Sequence, residues 1–269
     1  MATAFSGSYP LESRAGEIER LRVQSDAWAP DTEAMLERIG VGDGWSCLDI
    51  GCGPGGVTGL LSKRVGQRGR VVGLDMNSGF LDHARGSASS NTEFLLGDAF
   101  KTNLPGGSFD LVHSRFVAST SGTPERLLTE AIRLAKPGGT IALQEPDASS
   151  LSCYPLHPAF DKLKAAWLGA YQGVGADVLL ARRLYSVMVQ TGLHDVQLRT
   201  CILGVRPVDP MIDILPSSVE SLRGTVFKLG LIKEAEFAEV LADCRKHLQT
   251  VGTGGTTYMV AQVWGRKGG

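Results

Sequence analysis

The chain has 269 residues, 43% of them hydrophobic and 20% charged, and its 27 basic and 28 acidic side chains leave a formal charge of -1. That length and apolar content can bury a sizeable core, so the chain reads as a soluble globular protein. The charge balance favours no polyanionic partner, so no nucleic acid is expected. No apolar run approaches the roughly 18 residues of a bilayer span, so no membrane is expected either.

The opening "MATAFSGSYPLESR" lacks a positive segment followed by an apolar core, and no secretory leader is expected. Five cysteines (Cys47, Cys52, Cys153, Cys201 and Cys244) are odd in number and lack metal-ligand spacing. They point to reduced thiols, a cytoplasmic location and no structural zinc.

In chain order, residues 15–28 predict an amphipathic helix through Ile18, Leu21 and Trp28, and a second short helix follows Pro30, capped by Asp31 and stopped by Gly40. Strands and helices then alternate. "WSCLDI" is a strand and Val57, Leu60, Leu61 and Val65 mark a helix; "RVVGLD" is a strand and residues 77–86 a helix. "TEFLLGD" and "FDLVHS" are strands, Thr123-Pro124 opens a helix, and "KPGGTIALQEPD" is a turn and a fifth strand. Such alternation implies a mainly parallel sheet with helices on both faces and a ligand beyond the carboxyl ends of its strands.

Beyond residue 147 the pattern weakens. A loop "ASSLSCYPLHP", a helix with Phe160, Leu163 and Trp167, and a helix begun by Asp177 and stopped by Gly192 come first. A strand "DVQLRTCILGV", a proline-containing insertion, a helix from Phe237 to Leu248 and a strand "TTYMVAQVWG" follow.

"CLDIGCGPGGVTGLL" satisfies G-x-G-x-x-G through Gly51, Gly53 and Gly56, the pattern of a dinucleotide loop. Two features oppose that reading. Pro54 deletes an amide that a pyrophosphate would use, and Asp49 suits a ligand with a positive group. S-adenosylmethionine, with an ammonium, a sulfonium and no phosphate, is such a ligand.

"LDIGCGPGG", "VVGLDMN", "LLGDAF", "FDLVHSRF" and "LAKPGGTIALQEPD", in this order and spacing, resemble the class I S-adenosylmethionine-dependent methyltransferases over roughly residues 30–147. The resemblance implies a Rossmann-like, seven-stranded, mainly parallel sheet with helices on both faces and a helical cap. It implies that Gly51, Cys52, Gly53 and Gly55 hold the methionine moiety with Asp49, and that Asp75 takes the ribose hydroxyls. Met76 would pack on the adenine, Asp98 would accept from its amino group, the Ala99 amide would donate to the ring, and Phe100 would border it. His113, Ser114 and Arg115 would line the floor near the sulfonium, and Gln24 and Tyr9 would close over the cofactor's carboxylate.

The reaction so implied is an in-line displacement, governed chiefly by orientation and exclusion of water. Should the acceptor need to lose a proton, His113, Glu145, Asp147 and His157 are the candidate bases. The chain lacks the N/D-P-P-Y of amino-methylating nucleic-acid enzymes, a Pro-Cys nucleophile and the carboxylates of metal-dependent relatives. What remains is a small organic acceptor, with Arg115, Tyr154, His157, Trp167 and Tyr171 lining its pocket and no metal. The expected organisation is a helical lid (1–30), a cofactor core (31–147), cap insertions (148–192 and 205–232) and closing core elements (193–204 and 233–269), in a monomer or homodimer. Two other readings stay open: a cofactor-binding cyclase or sensor on the same fold, and an NAD(P)-dependent oxidoreductase.

Overall fold

A computed structural model of the chain describes residues 16–269, so Tyr9 lies outside the described residues. Helix α1 runs Glu17–Ile39 and stops at Gly40, whose φ of 82° provides the left-handed turn. The break expected at Pro30 does not occur, and Pro30 lies inside α1. The missing amide forfeits one backbone bond, while burial of Trp28, Met35, Leu36 and Ile39 holds both halves in place. Asp31 is therefore no cap: its carboxylate meets Arg199 at 2.5 Å.

The alternating region follows the predicted order: β1 (Ser46–Ile50), α2 (Gly56–Val65), β2 (Arg70–Asp75), α3 (Ser78–Arg85) and β3 (Thr92–Leu96). Next come β4 (Phe109–Arg115), a short unpredicted α4 (Val117–Ser121), α5 (Pro124–Leu134) and β5 (Ala135–Asp147). They are followed by β6 (Ser152–Tyr154), α6 (Pro158–Gly173), α7 (Ala181–Gln190), β7 (His194–Cys201) and β8 (Gly204–Val205). The remaining elements are α8 (Ile214–Ser221), α9 (Arg223–Lys228), α10 (Glu234–Leu248), β9 (Gly254–Thr256) and β10 (Met259–Arg266).

Seven strands form one sheet in the order β3-β2-β1-β4-β5-β10-β7. The first five are parallel, and β10 runs antiparallel to both β5 and β7. The expected Rossmann-like sheet is thus present, and its chain order reverses between β1 and β4, where ligands of such sheets collect. One face buries Leu127, Leu128, Ala131 and Leu134 of α5 with Leu184 and Met188 of α7. The other buries Leu61 and Val65 of α2 with Met35, Leu36 and Ile39 of α1. Each leucine so buried contributes about 1.5–3 kcal/mol.

The cap differs from expectation in two ways. Helix α7, assigned above to a cap insertion, packs on β5, β7 and β10, whereas α10, assigned to the core, packs on α6 and α8. Phe237, Leu241, Cys244 and Leu248 share a separate apolar cluster with Phe160, Leu163, Trp167 and Trp28. Moreover, "ASSLSCYPLHP" is not wholly a loop, and the "TTYMVAQVWG" strand divides at Thr257-Tyr258. Strands β6, β9 and β8 form a small antiparallel sheet of their own. No helix among the described residues is long and apolar enough to cross a membrane.

Candidate active site

A cleft of about 610 Å³ opens at the carboxyl ends of β1, β2 and β4. Its walls include the glycine loop, Asp75, Asp98, Arg115 and, from the helical side, Gln24, Trp167, Tyr171 and Tyr258. The loop fits there because its glycines take conformations other residues avoid: φ is 70° at Gly51, 53° at Gly53 and 92° at Gly55. A Cβ on Gly51 would stand 2.1 Å from Val117 Cγ2, so α4 closes directly over the loop.

Asp75 ends β2 with both oxygens anchored: Oδ2 accepts from the Gly53 amide at 2.8 Å and Oδ1 from the Asn77 amide at 2.9 Å. Burial raises its pKa, and those amides offset part of the rise. Each oxygen keeps a further lone pair for a hydroxyl donor. Met76, Ala99 and Phe100 line the same wall, and Asp98 is fixed by accepting the Phe100 amide at 2.8 Å. Arg126 lies over the Phe100 ring at 4.7 Å. Cys52 also lines the cleft, with a thiol pushed up by burial and away from thiolate chemistry.

His113 is not on the cleft wall. It lies fully buried beneath it, with Nδ1 2.8 Å from Asp49 Oδ1 and Nε2 2.9 Å from Gln144 Nε2. Gln144 Oε1 accepts from Thr32 at 3.2 Å and from Gln262 at 2.8 Å, so its amide nitrogen donates to His113. His113 consequently carries its proton on Nδ1 and donates to Asp49, whose other oxygen accepts from Thr58 at 2.7 Å. With both ring nitrogens engaged, it orients Asp49 and has no lone pair for an acceptor's proton.

The other expected bases are displaced too. Glu145 accepts the Ala118 and Ser119 amides at 3.0 Å each and thereby anchors the start of α4. Burial pushes its carboxyl up to about 7, against the pull of those bonds. Asp147 caps the turn at Ser149 and pairs with Arg182 at 2.8 Å. Burial opposes its charge, yet Arg182 and Ser149 hold its pKa below the usual range. His157 caps α6 and stacks on His247 at 4.4 Å. None of these four side chains is on the lining.

Ser114 also lies below the cleft, donating to Ile50 O at 2.9 Å. Tyr154 points outward, 76% exposed in β6. Tyr171 and Gln24, by contrast, reach the lining. The residue missed from sequence is Tyr258: it is buried on the cleft wall, accepts a hydrogen bond from Gln24 Nε2, and stacks on Trp167 at 6.0 Å and Trp28 at 5.9 Å. Burial pushes its hydroxyl up. Its one signal was a lone aromatic in an apolar strand, which reads as core. Among the described residues, no group of three or more His, Cys, Asp or Glu is arranged to hold a metal ion.

Residues 48–143 match the family model described as a methyltransferase domain. A demethylmenaquinone methyltransferase of Lactococcus lactis subsp. lactis is 36% identical over 137 residues, covering 49% of this chain and 52% of the relative. That of Lactobacillus johnsonii is 30% identical over 186 residues, covering 63% of this chain and 76% of the relative. The chain spans about half the length of the first curated relatives it matches, between 39% and 57%. A phosphoethanolamine N-methyltransferase 2 of Haemonchus contortus, solved with phosphomonomethylethanolamine and S-adenosylhomocysteine, has the same fold at a TM-score of 0.56 and 18% identity, over 89% of this chain and 53% of that one. With a glycine loop, Asp75 and Asp98 set in order along one sheet edge, the chain belongs to the class I S-adenosylmethionine-dependent methyltransferases.

Proposed function

We propose that the chain transfers the methyl group of S-adenosylmethionine to an oxygen, nitrogen or carbon nucleophile of a small organic molecule, by in-line displacement without a metal. The observation that carries this reading is the cleft's division: an acidic, glycine-lined edge beside an aromatic wall of Phe116, Trp167, Tyr171 and Tyr258. The edge fits the cofactor chemically. Asp75 offers anchored carboxylate oxygens to vicinal hydroxyls, and Asp49, fixed by Thr58 and His113, suits a positive amino group better than a pyrophosphate.

Gly51, Cys52, Gly53 and Asp49 would hold the amino-acid end, Asp75 and Met76 the ribose, and Asp98, Ala99 and Phe100 the adenine. When bound, the cofactor supplies a methyl group activated on a positively charged sulfur. The chain's share is orientation: Glu145 fixes α4, α4 and the glycine loop interlock, and Tyr258 and Trp167 keep water from the aromatic end. Positioning of this kind supplies on the order of 7–11 kcal/mol in favourable systems. In this reading α1 serves as the lid, presenting Gln24 and Ser25 to the cleft.

Parallel calorimetric titrations with S-adenosylmethionine, S-adenosylhomocysteine and NADH test the reading. Heat from the two sulfur ligands alone is expected, followed by methyl transfer in a screen of small acceptors. Heat from NADH alone would overturn it.

A further inference from the structure

Trp167 and Tyr171 lie one turn apart on α6, each only 5% exposed, and both line the cleft. Their rings meet edge to face at 5.5 Å. The indole N–H of Trp167 is buried and makes no hydrogen bond. Burial pushes the Tyr171 hydroxyl up, and the neighbouring indole eases it only in part, without closing an aligned bond. Trp28 carries a second such N–H, but it stands off the lining. Tyr258 adds a donor of its own: its oxygen receives the Gln24 amide, which leaves its proton to be given elsewhere. Burial keeps both phenols protonated, so they act as donors and not as bases. Native interiors rarely leave a buried donor unpaired, and one on a cleft wall marks a place for a ligand's acceptor atom.

Shape and charge narrow the ligand. Tyr258 stacks on Trp167 at 26° and 6.0 Å, while Phe116 stands at 86° to Tyr258 with the ring centroids 5.8 Å apart. These two planes form a corner that a flat ring fills better than a puckered one. An ammonium group would also be drawn to such rings. Here, however, the charged groups beside them are Arg20, paired with Glu17 at 2.7 Å, and Arg115, 5.7 Å from the Phe116 ring. The carboxylates of the described lining, Asp49, Asp75 and Asp98, stand at the acidic, glycine-lined edge. A cation would therefore meet two guanidinium groups at the aromatic end.

We propose that Trp167, Tyr171 and Tyr258 form a subsite for a planar aromatic methyl acceptor that carries a carbonyl or phenolic oxygen and no positive charge. The proposal rests on the methyltransferase reading of the cleft and narrows the acceptor within it. The ring stacks in the corner of Trp167, Tyr258 and Phe116, and its oxygen takes the N–H and O–H protons that the fold leaves without an acceptor.

The test is a set of binding titrations on the full chain, free and saturated with S-adenosylhomocysteine, with four probes of similar size. Acetophenone is flat and bears a carbonyl; ethylbenzene lacks the oxygen, cyclohexyl methyl ketone lacks the flat ring, and 1-phenylethylamine carries a positive charge in place of the carbonyl. Wild type should bind acetophenone about tenfold more tightly than each of the other three. Tyr171→Phe and Trp167→Phe should each bring acetophenone down toward ethylbenzene and leave ethylbenzene unchanged. Tyr171→Phe deletes a single oxygen, so it decides the matter even where Trp167→Phe fails to fold. Equal binding of acetophenone and ethylbenzene, preference for the amine or for the puckered ketone, undiminished acetophenone binding in Tyr171→Phe, or no saturable binding of any probe would overturn the subsite. A protein that does not bind S-adenosylhomocysteine refutes the cofactor reading alone, since the ranking of the probes on the free protein still decides the subsite.

Discussion

Oδ1 of Asp49 accepts a hydrogen bond from His113 Nδ1 at 2.8 Å beneath the glycine loop, so that Asp49 lines the cleft while the imidazole behind it does not. Histidine at the end of a strand invites a role in proton transfer, yet this one spends both nitrogens on Asp49 and Gln144. His113→Leu would leave two buried polar groups unpaired and cost about 3 kcal/mol, or roughly 6–12 °C in Tm. The milder His113→Gln should weaken S-adenosylhomocysteine binding, yet leave the shape of the kcat against pH profile unchanged. Loss of one limb of that profile would restore His113 as a base.

Asp75 links the glycine loop to the turn after β2 through the Gly53 and Asn77 amides. Asp75→Ala removes those bonds together with the acceptors expected for the ribose. A loss of about 10- to 100-fold in S-adenosylhomocysteine affinity is expected by calorimetry. A cofactor analogue lacking both ribose hydroxyls should bind wild type and variant more nearly alike. Unchanged affinity for the full cofactor would remove Asp75 from the site.

Glu145 carries a pH dependence whose sign follows from its environment. Its folded pKa of about 7 lies above the ordinary 4.5, because burial penalises the charged form. Between those values the native state holds the proton more tightly than the unfolded chain, so stability falls as pH rises through about 4.5–7. The full effect is about 3 kcal/mol. Urea midpoints measured from pH 5 to pH 8 should decline in wild type, and this component should be absent in Glu145→Gln.

Gly56 and Ser25 give a steric test of the lid. Gly56→Ala would place its Cβ 1.9 Å from Ser25 Oγ and 2.8 Å from Ser25 Cβ, which forces α1 away from the loop. Weakened cofactor binding with a small change in Tm is expected, and Ser25→Gly in the same chain should recover part of the affinity. A Gly56→Ala protein with full affinity would show that α1 does not bear on the site.

The acidic, glycine-lined edge of the cleft was legible in the sequence because each of its parts is local: a strand, a turn and an acid within a few residues of one another. Gly51, Asp75 and Asp98 need only the rule that parallel strands present ligands at their carboxyl ends. The base candidates His113, Glu145 and Asp147 followed the same rule and failed, since alternation along a strand sends successive side chains to opposite faces and the sequence does not say which face is open. Tyr258 was invisible for another reason. It reaches the cleft only through the pairing of β10 with β5, more than 100 residues distant in the chain. Pro30 misled by its local preference, which the burial of Trp28 and Met35 on either side outweighs.

The insertion of β10 between β5 and β7 also makes the sheet depend on the last strand of the chain. Every other lining residue of the cleft, from Arg20 to Ser218, precedes Tyr258 in the chain and leaves the ribosome before it. Until β10 emerges, β5 and β7 each present an unpaired edge to the cell, and the aromatic wall lacks its central ring. A chain folded only as far as β7 would therefore have the glycine loop in place and the pocket open on one side.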